Sequence, residues 1–263
     1  MKVLSTLFAS LAGLVAVSTA SDSANEGWSY RTNDPETVGP AQWSHKFPTC
    51  SGSRQSPIDI KQNSLIKFPA PLTFAGECSE YHLKQLYESY KAEVVNGSCT
   101  VTSKGKSYKF AQVHFHAPSE HTLHGKPLDG EVHFVHQATD GKILVVGLFL
   151  SKVSGATTDP YVAKFWQALG KVTPTTPVDV ALGGYAPLVI LNERKGHAFN
   201  YPGSLTTPGC NETVEWWVLE HALPVAPADF ASFQKSLTRI GAAANGTNAR
   251  PTQALNGRIV LVH

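Results

Sequence analysis

Gln112-Val113-His114-Phe115-His116, read with Glu131-Val132-His133-Phe134-Val135 a short way downstream, decides how this chain folds. Both stretches alternate bulky apolar and polar residues at period two, which is how a half-buried β-strand reads. Side chains two apart on a strand leave the same face. His114 and His116 therefore share a face, and a neighbouring strand can bring His133 beside them. Three neutral imidazoles around one cation, with a fourth position left to water, is the arrangement of a catalytic zinc centre. An isolated His-x-His on a strand is more often decoration than a ligand pair, so the surroundings matter. Gln112 stands two residues before His114 and Glu131 two before His133, each on its histidine's face. From there each can hold the ring's second nitrogen and fix its tautomer. Between the strands, Ala117-Pro118-Ser119-Glu120-His121-Thr122 is a turn that carries the Glu120 carboxylate back toward the same place. Phe134 and His136 fall on the opposite face from His133, so His136 reads as a core or surface histidine.

The chain has 263 residues and a formal net charge of +2, with no basic stripe of the kind that binds nucleic acid. Residues 1–20 read as a secretory signal peptide: Lys2 supplies a basic start, an apolar run follows, and Ser18-Thr19-Ala20 offers small residues for cleavage. The run is short for a bilayer span, no second one follows, and the last residues, Arg258 to His263, do not read as a lipid-anchor signal. A secreted protein without a membrane anchor is expected. No linker, charge run or repeat divides residues 21–263, which read as one domain.

Four cysteines, Cys50, Cys78, Cys99 and Cys210, are an even number suited to an oxidising compartment, and sequence alone leaves three pairings open. Sequons at Asn96, Asn211 and Asn245 permit N-glycosylation. The remaining pattern is β-rich. The run from 143 to 150 is continuously apolar, as a buried strand requires, and 214 to 220 is another. Helices are expected at 160–169, opened by Asp159-Pro160, and from Pro227 to about 240, each with proline in the first turn.

The histidine core does not stand alone. Trp28-Ser29-Tyr30, Gly39-Pro40-Ala41-Gln42-Trp43 and Arg54-Gln55-Ser56-Pro57-Ile58-Asp59-Ile60 precede it. Tyr201-Pro202-Gly203-Ser204-Leu205-Thr206-Thr207-Pro208 and Asn248-Ala249-Arg250-Pro251 follow it. In this order and spacing, across nearly the whole chain beyond the leader, the sequence resembles the alpha-class carbonic anhydrases. That resemblance implies a mainly β fold: a large, twisted, mostly antiparallel sheet with short peripheral helices. It also implies zinc-dependent, reversible hydration of carbon dioxide to bicarbonate and a proton, through a zinc-bound hydroxide. Zinc in carbonic anhydrase itself is known to lower the pKa of its water from about 15.7 to about 7. Its ligands here would be Nε2 of His114, Nε2 of His116 and Nδ1 of His133, supported by Gln112, Glu131 and a buried network around His121. A non-catalytic relative serving as a binding module is the alternative, although such relatives usually lose a zinc histidine.

The resemblance further gives Thr206 the task of orienting the nucleophile while donating its own proton to Glu120. It implies an apolar carbon dioxide wall of Val135, Val145, Leu205, Val214 and Trp216, with Thr207 bordering the cavity and Tyr30 reaching its waters. It pairs Cys50 with Cys210 and, with that, Cys78 with Cys99. For the histidine that exports the proton it is ambiguous. Val94-Val95-Asn96-Gly97-Ser98 matches the family's strand but puts Ser98 in the histidine's place, whereas spacing back from His114 points to His82, the expectation adopted here. His45, His124, His197, His221 and His263 carry no distinguishing feature. Oligomeric state is not readable.

Overall fold

The computed structural model describes residues 27–61, 66–67 and 71–263; the leader expected at 1–20 lies outside them. The two histidine stretches fall on the strands Lys106–His116 and Gly130–Gln137, antiparallel neighbours near the middle of a 12-stranded sheet. From one edge its path runs Val178–Ala181, Cys78–Gln85, Tyr90–Gly97, Lys106–His116, Gly130–Gln137, Ile143–Lys152, Val214–Val225, Ala198–Gly203, Leu261–Val262, Ile66–Lys67. Most neighbours are antiparallel. Ile143–Lys152 beside Val214–Val225 and Leu261–Val262 beside Ile66–Lys67 are parallel. The run expected at 143–150 is such a strand, continuously buried from Leu144 to Leu150.

The period-two alternation sorts side chains onto two faces. Val113, Phe115, Val132 and Phe134 join the larger core on one face. There Phe115 packs on Phe165, Trp166 and Phe233 of the helices Pro160–Ala168 and Pro227–Leu237. Asp159 caps the first of these helices by accepting the Tyr161 N–H. His136 also lies on this face, donating to the Leu144 carbonyl and meeting the Tyr185 hydroxyl, and burial lowers its pKa to about 3. The opposite face carries the histidines and a second, smaller core around Ile58, Phe149, Tyr201, Trp216 and Val218.

Besides the short turn of helix Trp43–Lys46, the helix Ala186–Glu193 goes beyond the sequence expectation: Ala-Pro-Leu-Val-Ile-Leu-Asn-Glu reads as easily as a short apolar strand, and no side chain caps it. Its Leu188 and Val189 are buried in the larger core, so packing decides the conformation.

Candidate active site

Register places the histidines together. His133 stands directly opposite His114, and Glu131 opposite His116. One nitrogen from each of His114, His116 and His133 lies within 4.8 Å of the other two. The second nitrogen of each ring is taken by the protein. His114 Nδ1 donates to Gln112 Oε1 at 2.8 Å, His116 Nδ1 to the Asn248 carbonyl at 2.7 Å, and His133 Nε2 to Glu131 Oε1 at 2.8 Å. That leaves the lone pairs of Nε2, Nε2 and Nδ1 facing one another. Burial holds His114 and His116 below the ordinary histidine pKa; it does the same for His133 although Glu131 opposes it. For His114 the neighbouring imidazoles and Lys91 add to the effect of burial. All three rings are thus neutral, the form that binds a metal.

His116 Nε2 and Glu120 Oε2 are both buried without a hydrogen-bond partner. Natural structures rarely leave such atoms unsatisfied. A dication between the three rings accounts for the first atom and favours the charged form of the second. Neutral nitrogen donors in a buried, three-sided set fit zinc and leave a coordination position open.

Glu131 is the hub behind these ligands. Its Oε1 accepts from His133 and from His121 Nδ1 at 2.7 Å, while Oε2 accepts the backbone N–H groups of Glu120 and His121, each at 2.9 Å. Burial alone would discourage its ionisation, but His121 and His133 keep its pKa well below the carboxylate range. His121 Nε2 in turn meets the Tyr201 hydroxyl at 2.6 Å, which lies 2.9 Å from Ser56 Oγ. Gly147, across from His133, makes room for this hub: a Cβ there would meet Glu131 Oε1 at 2.7 Å.

Glu120 Oε2 lies 3.5 Å from His116 Nε2 and 3.9 Å from His133 Nδ1. Burial pushes Glu120 up to about 7, although His133, the Arg250 backbone N–H and the Thr206 hydroxyl all favour its charged form. Thr206 sits on a tightly held loop. Leu205 N–H donates to the Asn211 carbonyl, Cys210 N–H to the Thr207 carbonyl, and Trp216 Nε1 to the Ser204 carbonyl. The Cys50–Cys210 disulfide fastens the loop's end, and Cys78–Cys99 is the second bridge.

Sequence reasoning missed two holders. Asn248 supplies the acceptor for His116, and its side chain clamps the Ala117 N–H and the Phe115 carbonyl. The Arg250 guanidinium ties Gln55, Ser56 and Cys50 together while its backbone N–H donates to Glu120 at 2.9 Å. The Asn-Ala-Arg-Pro quartet was visible in the sequence, but nothing in its spacing linked it to His116 or Glu120.

The converging nitrogens open into a cavity of about 220 Å³. Val135, Val145, Leu205 and Trp216 form an apolar wall, Thr206 and Thr207 border it, and Tyr30, Glu88, Ser89, Lys91 and Gln112 make the polar side. Two expected residues are not among those lining the cavity. Val214 is buried in the smaller core beside Val145 and Trp216, while its register partner Ile143 lines the cavity. His82 is not among the lining residues: it is partly exposed on the strand Cys78–Gln85, two strands out from Lys106–His116, with Nδ1 2.7 Å from Asp179 Oδ1. Ser98 is also outside, between the strands Tyr90–Gly97 and Thr100–Ser103. The sequon asparagines Asn96, Asn211 and Asn245 are all exposed.

Comparison with known proteins agrees with this geometry. The family model for eukaryotic-type carbonic anhydrase matches residues 38–263. Carbonic anhydrase of Pectobacterium carotovorum is 31% identical over 92% of this chain and 92% of its own length. Alpha carbonic anhydrase 8 of Arabidopsis thaliana is 32% identical over 90% of this chain, which spans 60% of that longer relative. The alpha-carbonic anhydrase of Thermovibrio ammonificans, solved with the inhibitor sulfanilamide, superposes with a TM-score of 0.75 at 30% identity, covering 89% of this chain and 98% of that one. A histidine-lined cavity in the middle of a large mixed sheet, with a family model that matches residues 38–263, places the chain in the alpha-carbonic anhydrase family.

Proposed function

We propose that this protein reversibly hydrates carbon dioxide to bicarbonate and a proton at a zinc ion held by His114 Nε2, His116 Nε2 and His133 Nδ1. One observation carries the reading: each ring commits one nitrogen to a protein acceptor and turns the other toward a shared point. A zinc ion there would supply the charge that makes water a competent nucleophile near neutral pH, as it is known to do in carbonic anhydrase. The protein's own groups do the rest. Gln112, Asn248 and Glu131 fix the tautomers and hold the rings in place. The Thr206 hydroxyl would donate a hydrogen bond to Glu120 and so offer only a lone pair to the attacking water, accepting a hydrogen bond from it and aiming its oxygen at the substrate. The Thr206 backbone N–H faces the oxygen on which bicarbonate's charge develops. Carbon dioxide is uncharged and a weak hydrogen-bonder, so the wall of Val135, Val145, Leu205, Trp216 and Ile143 suits it.

Residues 21–263 form one domain on this reading, and the protein is secreted. Two disulfides fit an oxidising compartment, and among the described residues no helix is long and apolar enough to cross a membrane. Glycans at Asn96, Asn211 or Asn245 would project from exposed positions.

The test is carbon dioxide hydration by the purified protein before and after zinc is stripped with a chelator, then after zinc is returned. Activity that vanishes and comes back, and that sulfanilamide inhibits, is expected. A zinc-loaded protein that hydrates no carbon dioxide would make it a binding module instead.

A further inference from the structure

Each hydration releases a proton that must leave the cavity before the next turnover, which calls for a positioned group able to take and return it. Among the described residues, the only histidines lining this cavity are the three whose nitrogens converge, and neither His82 nor Ser98 reaches it. The other titratable groups on its polar side are Tyr30, Glu88 and Lys91. Lys91 Nζ lies 3.3 Å from Glu88 Oε1, and as an ammonium it is a donor that cannot accept a proton. The Tyr30 hydroxyl is buried without a protein partner. Burial first, then the charges of Glu120 and Glu88, holds its ionisation well above the phenol range, while Arg250 opposes them. Tyr30 can therefore pass a hydrogen bond along but does not itself carry the charge. Tyr30 and Glu88 line the same cavity, and the charges of Glu120 and Glu88 both act on the Tyr30 hydroxyl. The Glu88 side chain is 13% exposed, so it faces the cavity on one side and keeps some contact with solvent.

We propose that Glu88 is the relay that exports the proton, in the place where a histidine was expected. The inference rests on the carbon dioxide hydration proposed above. As the attacking water's O–H bond breaks, a proton moves through intervening water past Tyr30 and forms an O–H bond at the Glu88 carboxylate. A dissolved buffer base then removes it, returning the carboxylate to its pairing with Lys91. Glu88 does not touch the reacting atoms; it acts through water and Tyr30, with Lys91 from the start of the strand that follows Glu88, and Glu120 and Arg250, as the charges that face this path.

The experiment compares wild type, Glu88→Gln and Glu88→Asp, each with its zinc content measured. In dilute, bulky buffer the maximal hydration rate of Glu88→Gln should fall roughly tenfold, less than the ~10²–10⁴-fold that positioned proton transfer can contribute, because buffer carries part of the flux. Imidazole, a small diffusible carrier, should restore most of it, and Glu88→Asp should retain an intermediate rate. A second readout needs neither zinc nor turnover. In zinc-free protein labelled with carbon-13 at the tyrosine Cζ, the Tyr30 signal should respond to two carboxylates: the step from Glu120 should persist in Glu88→Gln, and the separate step from Glu88 should disappear. A Glu88→Gln protein as fast as wild type in bulky buffer, a slow one that imidazole does not rescue, or a Tyr30 signal indifferent to residue 88 would each overturn the relay. A zinc-loaded wild type that hydrates no carbon dioxide would instead overturn the underlying reaction, and the relay with it.

Discussion

At the residue scale, the site is a matter of which nitrogen and which oxygen are already occupied. Thr206 illustrates this best: on the proposed reading its hydroxyl donates to Glu120, whose charged form it favours. Thr206→Ala should bind zinc as wild type does, since no zinc-facing nitrogen loses its holder. Its hydration rate should fall roughly 10²-fold, the scale seen when one oriented hydrogen-bonding group is removed from a reacting centre. Metal analysis and stopped-flow hydration on the same sample check both halves. A variant that loses zinc would make Thr206 a structural residue. Much of the residue scale was legible because it is local. Gln112 with His114 and Glu131 with His133 are i, i+2 pairs whose shared face follows from the strand period alone. The partner of His116 was not legible, because Asn248 comes from 132 residues away.

At the scale of elements, the sheet's register does what no single residue can. Setting His133 opposite His114 closes the three-histidine set, and setting Gly147 opposite His133 leaves space for the Glu131 hub. Gly147→Ala forces a Cβ to within 2.7 Å of Glu131 Oε1. Overpacking of this kind costs about 1–3 kcal/mol in stability, and disturbing a group that holds a ligand weakens metal binding about 10- to 100-fold. Competition with a chelator of known zinc affinity, alongside denaturant unfolding, measures both. Unchanged zinc affinity in Gly147→Ala would show that the hub tolerates displacement. Strand existence was readable from alternation and apolar runs, but pairing was not. Ile143, which was not expected at the cavity, lines it beside Val214 because the two pair across parallel strands, a register that carries no local signal. His82 failed similarly: counting residues back from His114 says nothing about how many strands intervene.

At the scale of the whole molecule, two cores clamp one sheet, and the cavity opens on the face of the smaller core. The disulfide Cys50–Cys210, the Arg250 contacts and the Ser56–Tyr201–His121 chain join distant segments behind the site. The fold class was legible only through motif order across the chain; periodicity alone stops at a β-rich protein. The central claim is that three particular nitrogens are left free to hold one zinc ion. Zinc titrated into metal-free protein labelled with nitrogen-15 at histidine tests it directly. His114 Nε2, His116 Nε2 and His133 Nδ1 should lose their metal-free signals together, complete at one equivalent, while His82, His121 and His136 keep theirs. A titration that instead moves His121 or His82, or that moves no imidazole nitrogen, would contradict the account.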